Sequence, residues 1–396
     1  MRPVFVVLHR CLGLFIAVFL LIAGLTGAVI SWDHELDEWL NPQLYHAARQ
    51  GTVQQALELA AGLEVDDTRL LVTYLPLSVE PGHTLMPSVS PRLDPRTGKA
   101  FLLGFNQVAV NPVTGSIQGR REWGAVSLAP ENLLPFLYKL HYSLHIPDAW
   151  GMELGVWFMG LVGIVWVFDN VIALGLSFPN PKTWRKSFAF RWRKGGYALT
   201  YDLHRSGGCW AWGLLLIIAV TSVGMNLNEQ VMRPWVAVFS TLAPSPFADR
   251  KPNPQDAPIM PMITREAVIH LAETEARHRG WLLPAGAVFY SPELGIYGVG
   301  FFQSGNDHGD GGLGNPWLYF DGQTGNPAGA EIPGTGSAGD IFLQAQFPLH
   351  SGRILGLPGR VLISMMGLVV AMLSVTGLII WWKKRQARVL MRAKRG

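Results

Sequence analysis

Long apolar stretches alternate with mixed ones along this chain. Cys11 to Trp32, Ser206 to Asn228 and Val361 to Trp382 carry no charged side chain, and a fourth run, Trp150 to Leu176, is interrupted only by Glu153 and Asp169. A helix needs about 20 residues to cross a bilayer, and each run is long enough. One such run is explained by a buried core helix; four of them predict membrane spans. The first run, at 22 residues and without a small-residue cleavage site, predicts a retained helix rather than a leader.

The segments between the runs have a different rhythm. Asp33 to Leu40 reads as an amphipathic helical turn. Thr52 to Gly62 reads as a short helix capped by Thr52, and Leu70 to Tyr74 as a strand. A Pro-rich loop through Pro95 follows, then strands at Ala100 to Phe105 and Gln107 to Val110 and a turn at Asn111 to Gly115. The same order returns later. Thr264 to His278 has apolar positions at helical spacing behind a Thr cap. Ala287 to Tyr290, Ile296 to Phe302 and Trp317 to Phe320 read as strands, with a turn at Asp321 to Gly325. A helix followed by antiparallel strands is an α+β module.

The predicted architecture is an α+β membrane protein of four transmembrane helices in two pseudo-repeats, with two extracytoplasmic modules. Its divisions are helix 1 within 1–32, module 1 at 33–139, helix 2 within 140–176, a basic loop at 177–203, helix 3 at 204–228, module 2 at 229–348, helix 4 within 349–382, and a basic tail at 383–396.

Histidines mark the repeat. Leu8-His9-Arg10 opens the first run and Leu203-His204-Arg205 the third; Leu140-His141 precedes the second and Leu349-His350 the fourth. Each of the latter pairs follows a Thr-Gly turn by a similar interval. A lone interfacial histidine is most simply a polar anchor. A repeated set at span ends points instead to paired axial ligands for b-type haem. A twofold axis along the membrane normal would bring His9 to His204, and His350 to His141 or His145, which share one helix face at i, i+4. Arg10, Arg205 and Arg353 lie within three residues of these histidines, suited to pair with propionates or to snorkel to headgroups. His34, just beyond the first span, is a weaker candidate. At about 1.5 Å per residue, His9 to Trp32 spans on the order of 35 Å, so two haems are expected, one near each face. Trp157, Trp166, Trp210 and Trp212 are candidates to line the path between them, and equally to be packing aromatics.

Composition agrees with a mixed architecture: 49% of residues are hydrophobic and 15% charged. Charge distribution sets the expected orientation. The stretch 179–205 holds seven basic residues and one acid, and the tail from Lys383 holds seven and none. Segments 33–139 and 229–350 hold eight and six basic residues against twelve acids each. Both termini are therefore expected in the cytoplasm of a bacterial inner-membrane protein, with the modules periplasmic. The basic tail reads as an anchor at an anionic leaflet, not as a nucleic-acid site. Cys11 and Cys209 form no disulfide framework, and the absence of C-x-x-C-H excludes covalently attached haem. Gly309-Asp310-Gly311-Gly312-Leu313-Gly314 has the dinucleotide spacing but precedes a strand, not a helix, so it reads as a loop. Asp307, His308 and Asp310 beside it are candidate metal ligands, with a flexible loop the simpler reading.

LHR at the first span, LHxxLH before the second, DLHR at the third and LHSGRxxGLPGR at the fourth, with the NPVTG and FDGQTG turns, resemble the PepSY-associated transmembrane proteins. The resemblance covers nearly the whole chain. It implies a four-helix bundle with b-type haem, two PepSY modules, and one-electron reduction of a ferric siderophore, hydroxamate type among the options, by an electron from a quinol or a cytosolic flavoprotein. The ligand set it implies is His9, His204, His350 and one or both of His141 and His145. Trp123, Tyr290, Phe301 and Trp317, in the modules, are candidate substrate linings. A membrane-anchored regulator or inhibitor of a periplasmic peptidase is the alternative from another class, and it has no use for histidines at span ends. A permease is disfavoured by the scarcity of intramembrane polar groups. A haem wire serving copper or a redox protein keeps the ligands and changes the acceptor.

Overall fold

A computed structural model describes residues 2–47, 51–178, 180–247, 250–254 and 257–393. In chain order, α1 is Arg2–Ile30, α2 Asp33–Leu40, α3 Pro42–Tyr45 and α4 Ala56–Asp66. Strands β1 (Leu70–Pro76), β2 (Ser88–Pro91), β3 (Gln107–Val110) and β4 (Ile117–Arg121) follow, then α5 (Pro130–Ser143), α6 (Leu154–Ser177), α7 (Gly196–Asn226) and α8 (Arg233–Ala237). The second half continues with α9 (Arg265–His278), β5 (Ala285–Ser291), β6 (Ile296–Phe301), β7 (Trp317–Asp321), β8 (Pro327–Glu331), α10 (Ala338–Gln344), α11 (Gln346–Ser351) and α12 (Leu357–Ala393). The chain forms two units. One is helical (Met1–Asp33, Leu137–Trp235, Gln346–Gly396); the other carries the sheet (His34–Phe136, Val236–Ala345).

In the helical unit, α1, α6, α7 and α12 are the helices among the described residues that are long and apolar enough to cross a membrane. Helix satisfies every backbone donor and acceptor within the segment, which hydrocarbon demands. Helices α1 and α7 begin before their apolar runs and α12 extends past both ends of its run, because backbone bonding continues into polar flanks. Helix α7 starts at Gly196, so His204 lies inside it rather than at its mouth. The stretch 140–176 is not one helix. Helix α5 ends at Ser143, Leu144 and His145 take left-handed φ values of 53° and 54°, and α6 starts at Leu154. Asn226 clamps this corner, donating to the carbonyls of Tyr142 and Val156 at 3.0 and 3.1 Å. Helices α11 and α12 are likewise separated by a break, at Gly352 (φ 77°). The last three residues of the basic tail lie outside the described residues.

Helix α1 packs on α6 and α12, and α7 packs on the same two, so α1 and α7 stand at opposite corners of the bundle. Ile16, Leu20, Val162, Trp166, Leu215 and Val370 are among its core. Where α1 crosses α12 the backbones touch: a Cβ on Gly24 would lie 2.6 Å from the Gly367 carbonyl. Small residues permit this approach, which apolar side chains alone do not drive in lipid.

In the second unit the strands among the described residues form one antiparallel sheet, in the order β4-β3-β2-β1-β5-β6-β7-β8. The sequence predicts two separate sheets; the structure joins them. Strands β1 and β5 pair with Tyr74 opposite Phe289 and Leu75 opposite Val288. Each four-strand half would otherwise expose an apolar edge, and pairing removes both edges. Helices α4 and α9 share the resulting core, with Leu59, Leu63, Val268 and Ala272 against Val72 and Val299. Arg265 of α9 ties the halves together, donating to Glu64 at 2.7 Å and to the Val72 carbonyl at 3.0 Å. Both expected turns form by the same chemistry. The Asn111 side chain accepts from the amides of Val113 and Thr114, and that of Asp321 from those of Gln323 and Thr324. Burial alone would raise the Asp321 carboxyl; Arg250 and those amides outweigh it and hold it at about 2.

Several expected elements shift. Thr52 does not cap a helix. Gln54 instead bonds the turn, its amide reaching Pro112 O at 2.8 Å, and α4 begins at Ala56. Ala100 to Phe105 forms only a bridge from Ala100 to Leu93, while the Pro-rich loop contains β2. Thr264 does cap α9, accepting from Ala267 N. The Gly309–Gly314 stretch is turns without a helix.

A buried charge network fixes α2 to the sheet. Asp37 accepts from Arg121 of β4, from Tyr45 and from Asn41, and the Asp37 and Arg121 side chains are 5% and 4% exposed. Burial pushes the Tyr45 phenol up. Replacing Arg121 by Ala removes the cationic partner of the buried Asp37 side chain and leaves it only the hydrogen bonds from Tyr45 and Asn41. The expected cost is about 3–5 kcal/mol, measured as lost resistance of this unit to chemical denaturation; a change within about 0.5 kcal/mol would refute the account.

Candidate functional site

Four of the sequence-predicted histidines meet in two pairs within the helical unit. His9 of α1 and His204 of α7 face each other from opposite corners, with ring centroids 6.1 Å apart. His141 of α5 and His350 of α11 form the second pair, with centroids 6.0 Å apart. His145 follows α5 in left-handed backbone, and the ring facing His350 is that of His141.

Each of the four rings is anchored through Nδ1 to a different helix. His141 reaches α1, with Nδ1 2.9 Å from the Ala23 carbonyl and 3.1 Å from Thr26 Oγ1. His350 reaches α7, with Nδ1 3.0 Å from Thr221 Oγ1. His204 reaches α12, 3.0 Å from the Leu373 carbonyl and 3.2 Å from Thr376 Oγ1. His9 reaches α6, 2.8 Å from Asp169 Oδ1.

The partners decide the tautomer. A carbonyl or carboxylate only accepts. The three threonine hydroxyls already donate to carbonyls one turn back, those of Ile22, Ile217 and Met372, so they too accept from the rings. All four Nδ1 atoms therefore donate, and in the neutral rings Nε2 keeps its lone pair. This is the arrangement of metal-ligating imidazoles, whose other nitrogen is held by a carbonyl or carboxylate.

The spacing fits as well. A metal about 2 Å from each nitrogen, with about 1.1 Å from nitrogen to ring centre, separates two centroids by about 6 Å. The centroid separations of both pairs, 6.1 and 6.0 Å, match that distance. Glycines make the seats. A Cβ on Gly27 would lie 2.9 Å from His141 Cε1, and one on Gly377 3.0 Å from His204 Cε1. Thr26 lies 17 residues after His9, and Thr221 17 after His204, so the pairs are about 25 Å apart along the bundle.

The other expected residues are dispersed. Arg10 is exposed. Arg205 donates to the Lys186 carbonyl and covers Tyr201, while its Nε is buried without a partner, a donor open to an anionic group near His204. Arg353 is buried close in sequence to His350. His34 packs its ring on Tyr45 in the sheet unit. Trp166 is in the bundle core, whereas Trp157 and Trp210 are 40% and 68% exposed and Trp212 donates to the Asn170 carbonyl. Tyr290 and Phe301 are buried in the sheet and line no open surface. Asp307 pairs with His308.

Sequence reading missed Asp169, Thr26, Thr221 and Thr376, whereas Gly27 and Gly377 belong to the small residues expected to allow close packing or to make room for a porphyrin. Two signals were available: an acid inside an apolar run, and the Thr-Gly dipeptide recurring at positions 26–27 and 376–377.

Fold and site together define a multi-pass membrane protein with two pairs of anchored imidazoles. The chain belongs to the family described as the PepSY-associated TM region, whose model matches residues 6–384. No curated protein matches it significantly.

Valine at position 27 or 377 takes the space of the facing ring. Gly27→Val is expected to free His141, and Gly377→Val to free His204, for modification by diethyl pyrocarbonate, mapped by peptide mass spectrometry. Modification unchanged from the unsubstituted chain would contradict the proposed seats.

Proposed function

We propose that this protein is an inner-membrane oxidoreductase holding two b-type haems and passing single electrons from the cytoplasmic side to a periplasmic ferric siderophore. The observation that carries the reading is the double pair of imidazoles, each with Nδ1 committed to an acceptor and each pair at metal-bridging distance. His9 and His204 would hold one haem, and His141 and His350 the other; bound there, the haems supply one-electron transfer.

The chain's own groups then have defined tasks. Asp169, Ala23 with Thr26, Thr221, and Leu373 with Thr376 orient the imidazoles and keep their protons on Nδ1. Arg205 offers its unpartnered Nε to a propionate, with Arg10 and Arg353 as further partners for these groups. The apolar core around Ile16, Val162 and Leu215 excludes water between the pairs. The basic stretches at 179–205 and 383–393 support placement of both termini in the cytoplasm, which leaves the sheet unit periplasmic.

On the substrate side the chemistry is simple. Hydroxamate-type siderophores hold Fe(III) through hard oxygen donors, which bind Fe(II) far less well, so one added electron loosens the iron. The donor of that electron is a quinol or a cytosolic flavoprotein. No acid–base residue is needed for such a transfer.

The test is an absorption spectrum of the full chain purified in detergent, before and after dithionite, with a pyridine haemochrome count. About two b-type haems per chain are expected, and anaerobic ferric hydroxamate siderophore should reoxidise the reduced protein. Ala at His9, His204, His141 or His350 should each remove about one haem, while His145→Ala should keep both. A colourless protein from haem-replete cells would sink this reading and favour the peptidase-regulator alternative.

Asp169 gives a sharper prediction. A carboxylate on the ligand's second nitrogen increases its basicity and favours ferric iron. Asp169→Asn is expected to keep both haems and raise the midpoint potential of one, read by spectropotentiometric titration. Two unshifted potentials would deny Asp169 this role.

A further inference from the structure

The sheet unit holds a second group of ligand-type side chains, unrelated to the paired histidines. Glu38 lies on α2, His46 directly follows α3, and His83 sits in the connection between β1 and β2. Glu38 Oε1 is 3.1 Å from His83 Nε2 and 3.5 Å from His46 Nε2. The three ligand atoms all lie within 4.8 Å of one another.

We propose that Glu38, His46 and His83 form a binding site for a divalent first-row transition-metal ion. This inference stands apart from the haem reading and does not rest on it.

Distances support it first. Two ligand atoms, each about 2.0–2.2 Å from a metal and at a tetrahedral angle, lie about 3.4 Å apart. The two carboxylate–imidazole separations, 3.1 and 3.5 Å, bracket that value, so an ion enters with small side-chain adjustments.

Rigidity supports it second. The backbones beside His46 and His83 are cross-linked: Ala47 N donates to Gly82 O, and Thr84 N to Tyr45 O, both at 2.9 Å. Thr84 Oγ1 adds a bond to the Leu44 carbonyl. Glu38 and His46 each follow a residue locked in the buried network, Asp37 and Tyr45, which Arg121 holds together. The ligands are therefore placed by structure that exists without them.

Chemistry supports it third. Two imidazoles and one carboxylate suit Zn(II), Fe(II) or Ni(II), and match poorly the all-oxygen shells of Ca(II) and Mg(II). His46 is 54% exposed and the other two side chains 27%, so the ion would keep positions open to water or to a small ligand. The competing arrangement has no metal: His83 is hydrogen-bonded to the carboxylate oxygen and His46 lies 3.5 Å from the same atom.

The test uses the full chain as purified, without an affinity tag. Zn(II) is titrated by calorimetry, and Fe(II) anaerobically as a second probe. One equivalent should bind the unsubstituted chain, and zinc-edge absorption should report two imidazoles and a carboxylate. His46→Ala should weaken that equivalent about tenfold or more; this side chain is half exposed, so the variant should fold, as melting will verify. Glu38→Gln should weaken it similarly. Calcium and magnesium should not compete. Binding of Zn(II) that is the same in the unsubstituted chain and in a folded His46→Ala variant, or no binding in either, overturns the proposal in favour of the hydrogen-bonded cluster. Haem content is read separately, so failure of one proposal leaves the other standing.

Discussion

The hydrogen bond from a histidine Nδ1 to an acceptor on another helix is the interaction on which the helical unit depends. It does two jobs with one proton. It joins helices through a directional contact where apolar packing offers little preference, because lipid is as apolar as the side chains. It also settles which nitrogen of each ring is basic. An isolated histidine in an apolar bundle has no reason to choose a tautomer. Here Ala23, Thr26, Thr221, Leu373, Thr376 and Asp169 choose it at four places. The threonines are suited to the task because their hydroxyls are spent on carbonyls one turn back, which leaves them as acceptors toward the ring. The glycines follow as a consequence: a ring drawn onto a neighbouring helix needs a place without a side chain, and Gly27 and Gly377 provide it.

The two pairs are not equivalent. His141, His204 and His350 bond to neutral acceptors, whereas His9 bonds to the carboxylate of Asp169. An acid within a spanning helix is expensive in hydrocarbon, and a neutral acceptor does the same orienting work in the other three places. Orientation alone therefore does not account for Asp169. In the proposed reading, its charge makes the His9–His204 site the one that favours the oxidised metal more. The difference gives the two sites distinct potentials within one bundle, so that direction of transfer is set partly by one side chain.

Much of this was legible in the sequence, and the pattern of success has a physical cause. Spans are read from composition over about 20 residues, and local charge does not obscure them. The repeated LHR and LH motifs identified the four paired histidines before any contact was known. The Asn111–Gly115 and Asp321–Gly325 turns were legible because their hydrogen bonds are local. What escaped was long-range. Strands β4 (IQGRR) and β8 (PAGAE) lie at the edges of the sheet, are mostly exposed and carry no apolar alternation. The pairing of β1 with β5 joins segments more than 200 residues apart, and nothing in either strand names the other. Repeat spacing favours His141 and leaves His145 open; the structure adds the break after Ser143, where Leu144 and His145 in left-handed backbone carry His145 off the helix face it would otherwise share.

The same logic places the three ligand-type residues of the sheet unit. Neither Glu38, His46 nor His83 belongs to a sequence spacing that signals metal. Their convergence comes from neighbours: Asp37 and Tyr45 are buried with Arg121, and the residue after each is carried to the surface beside His83. A buried ion pair of this kind stabilises little relative to an apolar core of equal volume. What it adds is position, because its geometry tolerates few alternatives. In both units, then, polar groups inside the fold matter less for the energy they contribute than for the side chains they orient. The helical unit orients by accepting the ring's proton, and the sheet unit by fixing the adjacent backbone.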